Sequence, residues 1–589
     1  MRRVTRQRLA EGFEDGPSLQ ESFDEQCFRQ LTVLLPGKDF ATRRDSPFVE
    51  LLQRYRSADS RSDELKATNA LGKYIDAHWT VNPTFIDLDS EEANRADMER
   101  YANGRTVPVE AMVPFMEWDP TELDERLGAA FIGLPTEMPP QTASNGPLNR
   151  ICKFFAKLSL SLAKLSGRVM VEAVVGEMAD FMEHNRWDCL DHRKDPIGGI
   201  DPSKFPRAYD RIHMSNILDY VGGLLTVAMY ARPLLREDRD SNLQFNVLLN
   251  PPQVGSGTDS RFAAEYMLMC NRNHISNHFS LFTKEKDHST FSPFGIGNYA
   301  IWEKVPHAIL DRKDMLSRPQ LEEWLYAHFL KICLPYPRDI RAMAPVLSPL
   351  NLTAFLRLIS HLSDLGYPSH WPSGILSALC SGTITTSARP PRSLVTNKAD
   401  IEAVYPARKM SVAPWLVNFT TLLSIWAPLL PFGLGGLQPK TITPPTDMAL
   451  YSVTFPPFVA IEILRPHFEL VFWDYSNARI LKTTSSMEQM AQKGGSGGFL
   501  RSLLADDETG DVSSHGREFR NGDGVQMFST FRYVTATRTA SFWCSKEWAR
   551  SMKESGGWKV FIWRTDNWER VTQGVDVKGS VEFVRSWDE

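Results

Sequence analysis

The stretch Tyr209–Leu235, YDRIHMSNILDYVGGLLTVAMYARPLL, constrains the fold of this chain more than any other. It reads as a short strand at Ile212–Met214, a polar turn and a long apolar helix over Leu218–Leu235; a second strand follows at Leu243–Leu249. Upstream, Arg168–Val175 (RVMVEAVV) is apolar and β-branched, which predicts a buried strand, with Gly176-Glu177 ending it and a helix starting at Met178. Near-continuously apolar strands that alternate with helices predict an α/β unit with a parallel sheet. Sheets of this kind place their sites at the carboxyl ends of strands, here the turn Ser215-Asn216-Ile217-Leu218-Asp219-Tyr220.

With 589 residues the chain is too long for one core. The expected organisation is a helical and loop-rich region over 1–149, the α/β core over 150–299, a helical region over 300–439 and an antiparallel β-rich domain over 440–589. Phe48–Tyr55 and Leu65–His78 carry helical apolar spacing, and 114–147 is a proline-rich connector. Ser317-Arg-Pro-Gln-Leu-Glu-Glu-Trp324 is a helix start, with Ser317 as cap and Leu321, Trp324, Leu325, Phe329 and Ile332 on one face. The segment after Pro390-Pro391, 392–410, reads as a loop and a candidate for disorder. From Met410 to Pro439 there is no charge, yet Pro414 and Pro428 limit any uninterrupted helix to about 13 residues, short of the roughly 20 that span a bilayer. A buried core helix is expected there, not a membrane span. Strands are expected at Leu450–Phe455, Val459–Leu464, Phe468–Trp473, Met527–Ala540, Trp558–Trp563 and Val575–Phe583, with mobile loops at 493–498 and 505–524.

The charge balance narrows the function classes. A formal net charge of -5 supplies no global basic field for nucleic acid or anionic membrane. The seven cysteines form no Cys-x-x-Cys pair, which fits reduced thiols rather than disulfides or a zinc module. The first residues, MRRVTRQRLAEGFEDG, lack an apolar signal core, so the expected location is cytoplasmic and the sequons at Asn351 and Asn418 are expected to be chance.

Each candidate residue carries a functional and a structural reading. Asn216 and Asp219 can offer an amide and a carboxylate to a ligand; they can equally form a cap, with Asn216 at the helix N-terminus and Asp219 reaching back. Gly222-Gly223 inside the helix imply a close approach, by a packed strand before a ligand. Gly176-Glu177 can approach a ribose or adenine, or merely end a strand and begin a helix. Asn250-Pro-Pro-Gln253 has the form of the Asn-Pro-Pro-aromatic motif of amino-methylating transferases, with Gln253 in the aromatic place, and also suits a plain turn. His274 and His278, at i and i+4, have the spacing of a metal pair, but no third ligand is visible. Gly-x-Ser-x-Gly, P-loop and dinucleotide motifs are absent, and Gly295-Ile-Gly297 lacks a third glycine.

The ordered series Val174-Val-Gly-Glu177, YDRIHMSNILDYVGG, Asn246-Val-Leu-Leu-Asn250, Glu265-Tyr266, Trp302, Arg318-Pro319-x-x-x-x-Trp324-Leu-Tyr326 and Cys333-Leu-Pro335 resembles a fungal family defined by a domain of unknown function. Pro431-Phe-Gly-Leu, Trp558-Lys-Val and Arg564-Thr-Asp566 extend the likeness. Some members carry a MYND zinc finger, and the domain is similar to the amino-terminal domain of dynein axonemal assembly factors. The resemblance implies a degenerate, Rossmann-like class I methyltransferase core. On that pattern Gly176-Glu177 ends the third strand and would hold cofactor, while Asn216 follows the fourth; Asn216 and Asp219 would orient a methyl acceptor and Tyr220 would pack on it. Fuller members hold S-adenosylmethionine with a strand-Gly-x-Gly loop and a second strand ending in an acid, and the first 150 residues contain neither. The expectation is therefore an intracellular pseudoenzyme that binds or assembles a protein partner without a cofactor; the alternative is an S-adenosylmethionine-dependent methyltransferase with a diverged loop.

Overall fold

The computed structural model describes residues 158–165, 167–194, 204–237, 240–247, 259–283, 299–304, 315–337, 350–432, 442–456, 468–476, 524–534 and 537–588, with isolated positions among 50–73 and at 201, 501 and 504. The expectations for 114–147, Asn250–Gln253, Gly295–Gly297, Val459–Leu464 and 493–498 fall outside them. The chain divides into two compact units, Met1–Ala173 and Val174–Glu589. In the first, described positions among 50–73 are mostly helical, as is 158–164.

The expected strand at Arg168–Val175 is not formed. These residues have no regular secondary structure, and Val171 and Val175 are 78% and 104% exposed. β-branched composition favours a strand only where a neighbouring strand and a packed face are supplied, and among the described residues no strand pairs with this segment.

The second unit begins with helix α1 (Met178–Arg186). Strand β1 (Arg211–Met214) follows, then helices α2 (Leu218–Val221) and α3 (Gly223–Tyr230), then β2 (Asn242–Phe245). β1 and β2 pair in parallel with Arg211 opposite Asn242 and Met214 opposite Phe245, so the β-α-β unit read from the sequence is present. The crossover is not one helix. It breaks at Gly222 (φ 93°) and Gly223 (φ 70°), backbone angles that side-chain-bearing residues adopt at a cost. The close neighbour is neither strand nor ligand: a Cβ on Gly223 would lie 2.2 Å from the ring of Tyr266, and one on Gly222 would lie 2.6 Å from Leu350. Gly223→Ala is expected to cost about 3 kcal/mol, combining left-handed strain with overpacking. A urea midpoint within about 0.5 kcal/mol of the parent protein would refute that reading.

After α4 (Asp259–Met267) and α5 (Arg272–Phe279), strands β3 (Leu281–Thr283) and β4 (Ala300–Lys304) complete a sheet of order β1-β2-β4-β3. β4 is antiparallel to both neighbours, so the sheet is mixed and not parallel throughout. One face carries Met214, Phe245, Leu243 and Trp302 into the core. On the other, Arg211, His213 and Ile301 are exposed, unlike a sheet covered on both sides.

The region expected to be all-helical contains α6 (Arg318–Cys333), α7 (Leu352–Asp364), α8 (His370–Cys380), α9 (Lys398–Glu402) and α10 (Ala413–Trp426). It also holds β4 and the ladder of β5 (Thr383–Thr386) with β6 (Arg408–Ser411), so 392–410 is structured where disorder was expected. Ser317 is the N-cap of α6, with Gln320 Oε1 accepting from its N–H at 3.0 Å and its Oγ at 2.8 Å. The uncharged stretch forms α10, of 14 residues, buried through Trp415, Phe419, Leu422 and Leu423. Among the described residues no helix is long and apolar enough to cross a membrane. Asn351 caps α7 through Thr353 N–H, and Asn418 is buried against Ser529 and Thr530, so both sequon side chains have packing roles.

The antiparallel C-terminal sheets are separate from the mixed one. β7 (Met448–Thr454), β8 (Phe468–Asp474), β9 (Val525–Phe528), β10 (Arg532–Val534), β11 (Thr539–Ser545), β12 (Trp558–Arg564), β13 (Glu569–Arg570), β14 (Val575–Asp576) and β15 (Val581–Ser586) form two sheets. Met527–Ala540 and Val575–Phe583, each read as one strand, are divided between several elements, and helix α11 (Lys546–Ser555) was not foreseen. β8 is buried on both faces: Leu470 and Phe472 pack into the sandwich, while Val471 and Trp473 join the core of the helical body.

Candidate functional site

The turn after β1 lies at the carboxyl end of the two parallel strands, as the sequence implied. Asn216 adopts φ 57°, a conformation Asn tolerates better than most residues. Its backbone N–H donates to Asn246 Oδ1 at 2.9 Å, and Asn246 N–H returns to Met214 O at 3.4 Å. The side chain of Asn246, one residue past the β2 end, therefore shapes the β1 turn. Tyr299 donates to Ser215 Oγ at 3.3 Å and lies 4.8 Å, ring to ring, from His213.

The predicted cap is not made. α2 starts from Ile217 without a side-chain cap, and the Asp219 backbone N–H donates to Asn216 O at 3.3 Å. The Asp219 side chain is wholly buried, while Tyr220 is 43% exposed. Asn216 Oδ1 is buried without a hydrogen-bond partner. Gly176 and Glu177 do not end a strand; Glu177 is the N-cap residue of α1, which packs on α3. Of the five predicted site residues, the structure thus gathers Asn216, Asp219 and Tyr220 in one turn and places Gly176-Glu177 at a different kind of element.

His278 is a structural histidine. His278 Nδ1 bonds His274 O at 2.8 Å, and its Nε2 meets Tyr367 Oη at 2.6 Å. Tyr367 Oη also accepts from Leu316 N–H at 3.0 Å. The carbonyl fixes the proton on Nδ1, so Nε2 accepts from the tyrosine and both ring nitrogens are occupied. Burial lowers the His278 pKa to about 4, keeping the ring neutral. Among the described residues no three His, Cys, Asp or Glu side chains converge as a metal site would require.

A second site emerges from elements the sequence reading treated as a helix start and a loop. A cavity of about 550 Å³ lies between α6, the turn around Met269–His274 and a strap over 387–405. Two carboxylates fix the strap. Glu323 Oε2 accepts from Thr386 Oγ1 at 2.6 Å and from Ser387 N–H, Ser387 Oγ and Ala388 N–H at 2.9 Å each. Glu265 Oε2 accepts from Thr396 N–H at 2.7 Å, while its Oε1 holds Lys331 Nζ at 2.6 Å. Asn397 and Asp400 form a capping box at the start of α9. Arg389 Nη1 donates to Ser387 O and Ala388 O, and its Nη2 to Pro406 O. Cys270 also lines the cavity; burial first, then Glu402, raises its pKa, which keeps the thiol protonated and a poor nucleophile. One signal for this site was legible: Asn397-Lys-Ala-Asp400 is a capping pattern inside the supposed disorder.

No family model, curated protein or solved structure matches the chain.

Proposed function

We propose that this protein is a non-catalytic binding or assembly module on a methyltransferase-like core, of the fungal domain-of-unknown-function type, with a protein partner and without a required cofactor. The observation that carries this reading is the cavity beneath the 387–405 strap. Its volume suits a ligand, the Glu323 carboxylate in its wall is tied to backbone and hydroxyl donors of the strap, and its thiol is held protonated. Such a wall recognises shape and charge but offers no activated nucleophile.

The residues around the β1 turn do not fit S-adenosylmethionine as the resemblance implies. Glu177 is not at a strand end, and a fully buried Asp219 has no surface with which to orient an acceptor. The feature that favours the methyltransferase alternative is the unpartnered Asn216 Oδ1 at the carboxyl end of a parallel strand. Titration calorimetry with S-adenosylmethionine separates the two readings. The module gives no binding heat and co-purifies with a partner at fixed stoichiometry. Micromolar binding that disappears in the Asn216→Ala, Glu177→Ala double variant would establish the enzyme instead.

A further inference from the structure

We infer that the open edge of β15 docks the β15 edge of a second copy of this chain, the two strands pairing antiparallel about a two-fold axis. β15 ends the sheet of order β10-β11-β7-β15, and no described strand pairs with its outer side. A strand edge presents a row of N–H and C=O groups that can template a further strand, and native proteins blunt it with short length, lysine or proline. The opposite edge follows that rule, since β10 has three residues. β15 has six, VEFVRS, with neither lysine nor proline. Its apolar side chains also stand in solvent: Phe583 is 53% exposed, Val584 48%, and Trp587 just beyond the strand 40%. Single exposed apolar residues are ordinary, but three within five positions along an open edge form a strip that a partner can cover.

The charges name the occupant. Glu582 lies opposite Ser452 of β7 and Arg585 opposite Leu450. Ser452 and Leu450 are on the face of β7 turned away from the core that Ala449, Tyr451 and Val453 enter, so Glu582 and Arg585 share this outer face. Three positions apart, they would sit on opposite faces of a regular strand; the bulge between Phe583 and Arg585 supplies the odd residue. Both side chains are exposed, and neither forms an ion pair among the described residues. Arg585 is steadied by Trp543, its guanidinium carbon 5.8 Å from a ring centroid that Trp587 meets edge-on at 5.1 Å. A two-fold axis between Phe583 and Val584 sets Glu582 of each copy directly opposite Arg585 of the other, on the same face, where opposite charges attract. The same axis brings Phe583 of each copy against Val584 of the other and closes the assembly at two, because both β15 edges are then used. A strand of unrelated sequence would find no such reciprocal match. The bulge keeps the ladder short, which suits a reversible dimer.

This edge shares no residue with the cavity beneath the strap, so the pairing stands or falls independently of the cofactor and partner measurements. Sedimentation velocity on the full chain between about 1 and 100 μM is expected to show a monomer–dimer equilibrium with Kd on the order of 10 μM, as for a small interface. Glu582→Arg sets like charges opposite each other at both symmetry-related positions, as does Arg585→Glu, and each is expected to weaken the dimer about tenfold or more. Mixed in equal amounts, the two variants regain both opposite-charge pairs and are expected to form a mixed dimer within about threefold of the parent Kd. Both changes are at exposed side chains, and circular dichroism confirms that the variants fold. A chain that stays monomeric at about 100 μM, a dimer that both single variants leave unchanged, or a mixture that associates no better than its components overturns the inference.

Discussion

Glu265→Ala is expected to destabilise the protein by about 3–5 kcal/mol, because it strands a buried ammonium. Lys331 Nζ lies 2.6 Å from Glu265 Oε1, with side-chain exposures of only 10% and 4%. Removing the carboxylate leaves Lys331 with a carbonyl, Glu265 O, and leaves Thr396 N–H without its acceptor. Lys331→Met is expected to cost a similar amount from the other side. The double variant Glu265→Ala, Lys331→Met should lose far less than the sum of the two, since neither charge is then left alone in a dry interior. Urea unfolding of the four proteins measures this. Strict additivity would show that the pair is screened by water and that the strap does not depend on it.

Glu469→Gln is expected to stabilise the protein, increasingly so as pH rises. Glu469 on β8 is wholly buried, neither carboxylate oxygen has a hydrogen-bond partner, and burial raises its pKa from 4.5 to about 8. Its cross-strand neighbour Trp563 likewise leaves its buried Nε1–H unpaired. A carboxyl with a raised folded pKa binds its proton more tightly in the folded state than in the unfolded one. Its favourable contribution is therefore complete below pH 4.5 and is lost as pH climbs through 8. Relative to the Gln variant, the parent protein should lose about 1.4 kcal/mol per pH unit across that window, on the order of 5 kcal/mol in all. Denaturation midpoints at intervals from pH 4 to 9 test this directly. Parallel curves for the two proteins would mean that Glu469 titrates as an ordinary exposed carboxyl.

Local patterning located the elements that carry their own signals. The β1-turn-β2 unit, the capped start of α6 and the proline-limited helix α10 were legible because alternation, capping residues and prolines act within a few positions along the chain. The same logic failed at Arg168–Val175, whose composition asks for a strand, because strand formation needs a partner the sequence cannot name. At Gly222-Gly223 the sequence implied a close approach but not its source, which is Leu350 for the first glycine and the ring of Tyr266 for the second. Asn216 was singled out as a candidate from the sequence, but its posture depends on Asn246, which no helical or strand period connects to it.

By itself the sequence determined the β-α-β unit, the antiparallel C-terminal strands and the helical character of α10, since each follows from short-range periodicity and backbone preference. The tertiary structure alone decided that β4 runs against its neighbours, that Asp219 is sealed from solvent, and that α6, the 269–274 turn and the 387–405 strap enclose a cavity. The strap that closes the cavity is held by hydrogen bonds between residues more than fifty positions apart, Glu323 with Ala388 and Glu265 with Thr396, where the free energy belongs to the contact and not to either segment alone.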